Sequence, residues 1–444
     1  MTAVTPPTVA AGAHLAVIGA GIAGLSTAWL LDRQYRVTLF EAEPRAGGHA
    51  ETQEVPLGNR TVAVDTGFIV YNERNYPHLT GLFAHLGVST HASEMSFAVS
   101  ARGGRFEYGG GTVTQLIAQK RNLLRPRFWS MVSDVARFYR NSPRLLDGTS
   151  EESLGAFLDR ERYGDTFVHD HILPMGAAIW STSVAGMRAF PARHFIRFFQ
   201  NHGLLSLTDR PQWRTVTGGS REYVARLMAG LRAGVHLGRA VRAVAPTGTG
   251  ARLVLADGSE AAFDGVVFAC HADQARALLA QPTETQDRIL AAIRCEDNTA
   301  VLHTDARLMP RRRAIWSAWN YISDGARDRA QKVSVTYWMN RLQGLRTAEP
   351  FLVSLNPLRA PDPMRVISTR TYRHPQFDAA AIAAQAQLPM IQGKHRMWFA
   401  GAWTGWGFHE DGIASAVRVA RAFGVTPPWD MPGIITPHRV AEAA

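Results

Sequence analysis

Apolar positions along the chain change period from segment to segment, and the changes mark its elements. Residues 14–18, "HLAVI", have the short pattern of a buried strand, "LSTAWLLD" (25–32) has helical spacing, and "RVTLFE" (36–41) is strand-like again. The stretch 234–270 predicts several short strands separated by glycine turns, ending in a buried strand at 266–270. A short apolar run, "MWFAGAW" (397–403), precedes "GIASAVRVARAF" (412–423), which predicts a helix starting near Gly412. Between these pieces, 76–214 is mainly helical in pattern, whereas 291–389 carries the strand-like runs "NTAVLHT", "AIWSAWNYI", "KVSVTYWM" and "FLVSL". The tail, "TPPWDMPGIITPHRVAEAA" (426–444), is Pro-rich and predicts an irregular appendage.

Composition narrows the class. The 444 residues suffice for two domains or one large α/β unit, and the apolar fraction and 39 glycines are those of a globular enzyme. Two cysteines, Cys270 and Cys295, make neither a disulfide framework nor a metal set. Neither a signal-type leader nor an uninterrupted apolar stretch of membrane-spanning length is present, so a cytoplasmic protein is expected. Net charge is +11, from 45 Arg and only three Lys (Lys120, Lys332, Lys394), a bias that fits genome composition as well as an anionic partner. No recognition motif supports nucleic acid. One stretch is more specific: Lys120–Arg144 holds seven basic residues and one acid, Asp134, with Phe128, Met131, Val132, Val135, Phe138 and Tyr139 at helical spacing after Pro126. Such a helix either lies on an anionic membrane at the cytoplasmic face or buries its stripe in its own domain.

The sharpest chemistry is "GAGIAG". Gly19, Gly21 and Gly24 sit between a predicted strand and helix, and the next strand ends at Glu41, 22 residues after Gly19. This is the dinucleotide fingerprint in its required context. The first glycine permits the turn, the second lets a pyrophosphate approach the backbone, and the third lets helix and strand pack; Glu41 would accept hydrogen bonds from ribose hydroxyls.

After Glu41 come Arg45, Gly47 and Gly48 in an E-x-x-x-R-x-G-G segment, then "VDTGFIV" (64–70), the glycine-punctuated strands, the "FAG" strand and a terminal helix. Together these resemble the FAD enzymes of the amine oxidase and phytoene desaturase superfamily, over most of the chain. The resemblance implies an α/β fold, with a Rossmann-like FAD-binding domain of amine oxidase type and an inserted α+β substrate domain. The first would comprise 13–75, 215–290 and 390–425, and the second 76–214 and 291–389. It implies non-covalent FAD held by Gly19, Gly21, Ile22, Ala23, Gly24, Glu41, Ala42, Arg45, Gly47, Gly48, His49, Thr66, Gly67, Phe68, Val241 and Gly401. Gly412 and Ile413 would offer backbone N–H groups to the flavin. The superfamily often has Arg where this chain has His49, which leaves Arg45 as the cation nearby.

At group level, 201–224, 303–322, 335–345 and 407–416 resemble bacterial amine-oxidase-like flavoproteins that accompany cyclopropane-fatty-acid-synthase-type methyltransferases. That group includes the acyl desaturase of furan fatty acid formation. The implied substrate is an unsaturated or methylated fatty acyl chain, free or in a phospholipid, and the implied functional partner is a methyltransferase. A long apolar pocket would be needed, for which Trp180, Trp316, Trp319 and Trp338 are candidates. For the proton that must leave, the candidates are His409, Glu410, Asn320, Tyr321 and Tyr337; Glu410 and Asp411 serve equally well as helix-capping acids. "HDH" (169–171) has no metal-ligand spacing and is expected near a domain surface; no metal site is expected. Amine oxidation, with Lys332 as the one plausible lysine, and a non-enzymatic flavin-binding role stay as alternatives.

Overall fold

The computed structural model describes residues 9–430 apart from 149, 206–209 and 324–333. Its centre is a parallel five-stranded sheet in the order Gly234–His236, Arg36–Phe40, His14–Ile18, Gly265–Phe268, Met397–Phe399. Three separated stretches of chain therefore supply one sheet; His14–Ile18, Gly265–Phe268 and Met397–Phe399 read as apolar runs because they are covered, whereas the edge strand Gly234–His236 is largely exposed. On one face the helix Ile22–Leu31 buries all ten of its residues, between the sheet and the helix His409–Ala422. A helix buried on every side has no polar face to show. The other face carries a three-stranded antiparallel sheet, Val241–Pro246, Ala251–Leu255 and Glu260–Phe263, packed through Val244, Leu253 and Phe263.

The second large sheet has seven strands in the order Val366–Pro375, Cys295–His303, Leu352–Leu355, Ser334–Trp338, Trp319–Ile322, Phe97–Ala101, Phe106–Gly109. Two of these strands come from the stretch whose pattern is mainly helical. Phe97–Ala101 pairs parallel with Trp319–Ile322, a partner in the other insertion that no local period could announce. Helices between Pro126 and Asn201 cover one face of this sheet through Phe138, Phe157, Phe167, Phe195 and Phe199. Its other face holds a hydrogen-bonded polar layer, with Thr336 and His303 each 2.8 Å from the Ser354 hydroxyl.

One open alternative is decided and one sequence expectation changes. The basic helix Pro126–Asn141 buries Phe128, Met131 and Phe138 in its own domain, so that stripe is not a membrane face. The start of the tail is not an appendage: Trp429 is buried, stacks 6.3 Å from Trp29 and donates its indole N–H to His78 Nδ1 at 3.1 Å. The rest of the tail lies outside the described residues. Among the described residues no helix is long and apolar enough to cross a membrane.

Candidate active site

One cavity of about 1270 Å³ runs from the carboxyl edge of the parallel sheet, at Glu41 and Val241, to the seven-stranded sheet and its helical cover. Its first wall is the turn after His14–Ile18. Gly19 has φ +104°, and a Cβ there would stand 2.9 Å from the Ala269 carbonyl oxygen. A Cβ on Gly24 would stand 1.7 Å from the Gly19 oxygen, so Gly24 serves the helix–strand contact and does not line the cavity. Around a Cβ on Gly21 there is nothing within 4 Å: this glycine opens onto space. Ile22 and Ala23 line the cavity beside it.

Glu41 is held by two amides, from Ala20 (2.6 Å) and Glu43 (2.9 Å), which fix its carboxylate at the cavity edge beside Ala42. Gly47 (φ +116°) turns the next segment back onto Gly21, and Gly48 lines the cavity against it. Arg45 also lines the cavity, but its Nη2 donates to the Gly48 carbonyl (2.8 Å) and to Glu51 (2.7 Å). That guanidinium braces the loop. His49 is half-buried, its buried Nε2 has no partner, and Tyr372, His374 and His271 ring it at 5.1, 5.4 and 6.0 Å. Burial, then the neighbouring histidines, hold His49 well below its usual pKa, so it is neutral. Thr66, Gly67 and Phe68 follow; a Cβ on Gly67 would clash with the His49 carbonyl oxygen at 2.1 Å, and Phe68 stacks on His409 at 3.8 Å. Gly401 (φ +150°) completes this end, its N–H given to Ser415 Oγ at 2.8 Å. Cys270 also lines the cavity, and burial pushes its thiol up to about 12, so it is no thiolate nucleophile.

The terminal helix differs from its expected position. It begins at His409, because Asp411 accepts the Phe408 N–H (2.9 Å) and closes the first turn three residues before Gly412. The Gly412 N–H is bonded to the Phe408 carbonyl (3.2 Å), and its missing Cβ would stand 2.7 Å from Ile22 Cγ2. Gly412 and the buried Ile413 thus serve the contact between two helices, and the residues at the cavity are Gly407, Phe408 and His409.

The proton-handling candidates separate in the same way. His409 lines the cavity, shares a 2.8 Å hydrogen bond with the Tyr223 hydroxyl, and burial lowers it to about 3. Tyr337 lines the cavity too, its hydroxyl pushed up by burial. Glu410 does not: its two oxygens accept the His78 and Leu79 amides, both at 2.9 Å, capping the helix Pro77–Leu86. Asn320 is excluded by strand alternation. Trp319 faces the cavity, so Asn320 faces the polar layer, donating to the Ser317 and Thr336 carbonyls at 2.6 and 3.0 Å. Tyr321 returns to the Trp319 side but lies in the core under the helices and does not line the cavity.

Of the tryptophans, Trp180 and Trp319 line the cavity, each with an indole N–H that has no partner. Trp319 meets Tyr337 edge-on at 4.8 Å, and Met175, Ile179, Phe198, Leu204, Val353 and Leu355 complete an apolar wall. Trp338 alternates to the opposite face from Tyr337 and packs with Trp316, whose N–H goes to the Pro310 carbonyl at 2.8 Å; neither lines the cavity.

Sequence reasoning missed one group altogether. "HDH" is not a surface feature: a π-helical turn, Val168–Ile172, brings both Asp170 and His171 inward, and such turns recur at functional sites. His171 lines the cavity. The Tyr108 hydroxyl gives its single proton to the Asp170 carbonyl (2.9 Å), so at its 2.8 Å contact with His171 Nδ1 it accepts. It follows that His171 carries its hydrogen on Nδ1. Burial lowers its pKa to about 4, and the bare Nε2 has no partner. The apolar residues flanking "HDH" at Phe167, Val168, Ile172 and Leu173 were the available signal.

The family model described as flavin containing amine oxidoreductase matches residues 22–303. A solved protein assigned as a protoporphyrinogen oxidase, from Exiguobacterium sp. 255-15, superposes with TM-score 0.67 at 18% identity, covering 92% of this chain and 98% of its own. Cyclohexylamine oxidase from Brevibacterium oxydans IH-35A gives 0.67 at 14%, covering 93% and 98%. A fatty acid isomerase from P. acnes that produces CLA gives 0.63 at 11%, covering 93% and 99%. At these identities the structures show a shared fold, which by itself selects no substrate.

Proposed function

The chain belongs to the flavin-containing amine oxidoreductases, and from that premise we propose that this FAD-dependent oxidoreductase desaturates an unsaturated or methylated fatty acyl chain. The residues present fit the cofactor. Gly21 leaves an open lane where a side chain would otherwise stand, Glu41 is fixed at the sheet edge, and the His49 Nε2 is a buried polar atom without a partner. Ile22, Ala23, Ala42, Gly48, Thr66, Gly67, Phe68, Val241 and Gly401 would complete its walls.

The observation that carries the acyl reading is the far half of the cavity. It is walled by Trp180, Trp319, Tyr337, Met175, Ile179, Phe198 and Leu204. Its carboxylate among the described lining residues, Glu94, is already paired with Arg341 at 2.5 Å. An ammonium substrate finds no unpaired acid there, whereas a hydrocarbon finds a matched surface. Lys332, the lysine that amine oxidation would call on, lies outside the described residues.

Bound flavin supplies the acceptor for a hydride. For an allylic C–H to leave with its electron pair, a proton must depart from the adjoining position, and the two electrons of that second bond become the new double bond. His171 Nε2, neutral and without a protein partner, is a group of this chain suited to take the proton. The π faces of Trp319 and Tyr337 stabilise positive charge developing in the chain, and the apolar wall excludes water that would trap it. His409, stacked on Phe68 and bonded to Tyr223, holds its ring in place at the junction of the two halves.

The test is anaerobic titration of the purified holoprotein with phospholipids carrying monounsaturated or methyl-branched unsaturated chains, beside a parallel titration with amines and polyamines. Bleaching of the visible flavin band by lipid, with a new double bond in the product, is expected. Bleaching by amine alone would overturn the acyl reading.

A further inference from the structure

Half of the large apolar side chains left exposed among the described residues fall between 113 and 129: Val113, Ile117, Leu123, Leu124 and Trp129. Leu124 (88%), Val113 (73%) and Trp129 (52%) stand well out in solvent, and Ile117 and Leu123 are about a third exposed. Trp129 belongs to a helix whose other side, Phe128 and Met131, is already buried, so the core makes no claim on it. Its indole N–H reaches the Leu123 carbonyl at 2.9 Å, which sets the ring beside the Leu123–Leu124 turn.

The same stretch is purely basic. No acid occurs from Tyr108 to Ser133, where Lys120, Arg121, Arg125 and Arg127 stand. Arg121 and Arg125 both donate to the Arg105 carbonyl, at 2.7 and 3.0 Å, which gathers their guanidinium groups on one side. Arg127 is held below its usual pKa chiefly by burial and then by Arg102 and Arg125, with the buried Asp170 acting the other way. Immediately before this stretch, Gly110, Gly111 and Thr112 are at once exposed and part of the cavity lining, so the cavity reaches the surface there.

We propose that the segment Gly110–Trp129 seats the cavity mouth on a bilayer containing anionic phospholipid. Exposed apolar side chains rimmed by basic residues are what an interfacial contact requires: the first enter the acyl boundary and the second meet the headgroups. A protein partner would also cover apolar residues, but a rim of one sign with no acid fits a surface of uniformly opposite sign. The continuity of this patch with the mouth is the second reason, and it rests on the acyl reading: a chain dissolved in a bilayer then enters the cavity without crossing water. This surface is distinct from the apolar stripe of Pro126–Asn141, which the fold buries.

The experiment is co-sedimentation of the holoprotein with vesicles of phosphatidylcholine alone and of phosphatidylcholine with phosphatidylglycerol. Binding to the mixed vesicles is expected, falling as salt is raised, with a loss of about fivefold in partition for each basic residue removed. Val113→Glu with Leu124→Glu should weaken that binding at least tenfold while flavin content and melting temperature stay unchanged, since neither side chain lines the cavity. Equal binding by this variant, or none by the parent protein, would overturn the proposal. So would light scattering that shows a self-association dissolved by the same variant, because the patch would then be covered by a second copy. Flavin reduction by detergent-dispersed acyl substrate is read separately. Vesicle binding without such reduction sinks the acyl reading and leaves the surface standing, and reduction without vesicle binding does the reverse.

Discussion

Gly21 and Gly24 lie in one turn and meet opposite surroundings, which makes them separable by experiment. A methyl at 24 would stand 1.7 Å from a backbone oxygen, whereas a methyl at 21 meets no protein atom within 4 Å and projects into the lane assigned to the cofactor. Gly21→Ala is therefore expected to melt like the parent when both are stripped of flavin, yet to lose most bound FAD; Gly24→Ala should fail to fold. Flavin content and apoprotein melting check both, and retention of flavin by Gly21→Ala would remove Gly21 from the site. At the other end of the cavity, His171→Gln should slow flavin reduction by acyl substrate by a factor of about 10² to 10⁴ with flavin content unchanged. Because the neutral ring is the active form and its pKa lies near 4, the parent's rate should rise with pH through about 4 and then level off. A rate insensitive to the substitution would sink the assignment. The glycines were legible because each requirement is local: a tight turn, a close backbone approach. His171 was not, since its inward direction depends on a π-helical turn and on Tyr108, a residue from a distant strand.

Elements were legible in proportion to how local their evidence is. The central strands His14–Ile18 and Gly265–Phe268 and the helix Ile22–Leu31 declare themselves by burial on nearly every side, which leaves a mostly apolar run. The strands Phe97–Ala101 and Phe106–Gly109 exist by virtue of Trp319–Ile322, and their surroundings in sequence point to helix. The terminal helix shows a subtler failure. A glycine after two acids looks like a helix start, but the acids are inside the helix: Asp411 closes its own first turn, and Glu410 caps a different helix. That assignment has a measurable consequence. Glu410→Gln retains a single acceptor oxygen for two amides, so one buried N–H is orphaned, at a cost of about 1–3 kcal/mol. Denaturant melts of the variant should show that loss, while the rate of flavin reduction stays within a few fold of the parent. A collapse in rate without a loss of stability would return Glu410 to the chemistry.

Taken as a whole, the molecule shifts many titratable groups by desolvation, and their signs do not cancel. His78, His171, His202, His303 and His374 are lowered to about 4 and His409 to about 3, each chiefly by burial. A histidine lowered in the fold stays neutral while the unfolded chain, near 6.5, takes up a proton; stability is complete above 6.5 and is lost as pH falls toward 4. Three desolvated carboxyls act the other way. Asp65 and Asp411 are raised to about 6 and Glu410 to about 8, so the folded state holds protons that the unfolded chain has released, and stability falls as pH rises through those values. Between 6.5 and about 4 six histidines oppose three carboxyls, and the acid side loses; above 6.5 Glu410 alone among these groups still pulls stability down. Maximum stability is therefore expected between about pH 6 and 7, with a steep acid flank and a shallow alkaline one. Urea unfolding of the holoprotein from pH 4.5 to 8.5 reads this directly. His49, whose Nε2 faces no protein partner, belongs to the same acid-sensitive set, so FAD should begin to dissociate on the acid flank, detectable as a rise in free flavin fluorescence. A protein most stable at pH 5 would mean that the carboxyls outweigh the histidines, and the neutral ring assigned to His171 would need to be abandoned with them.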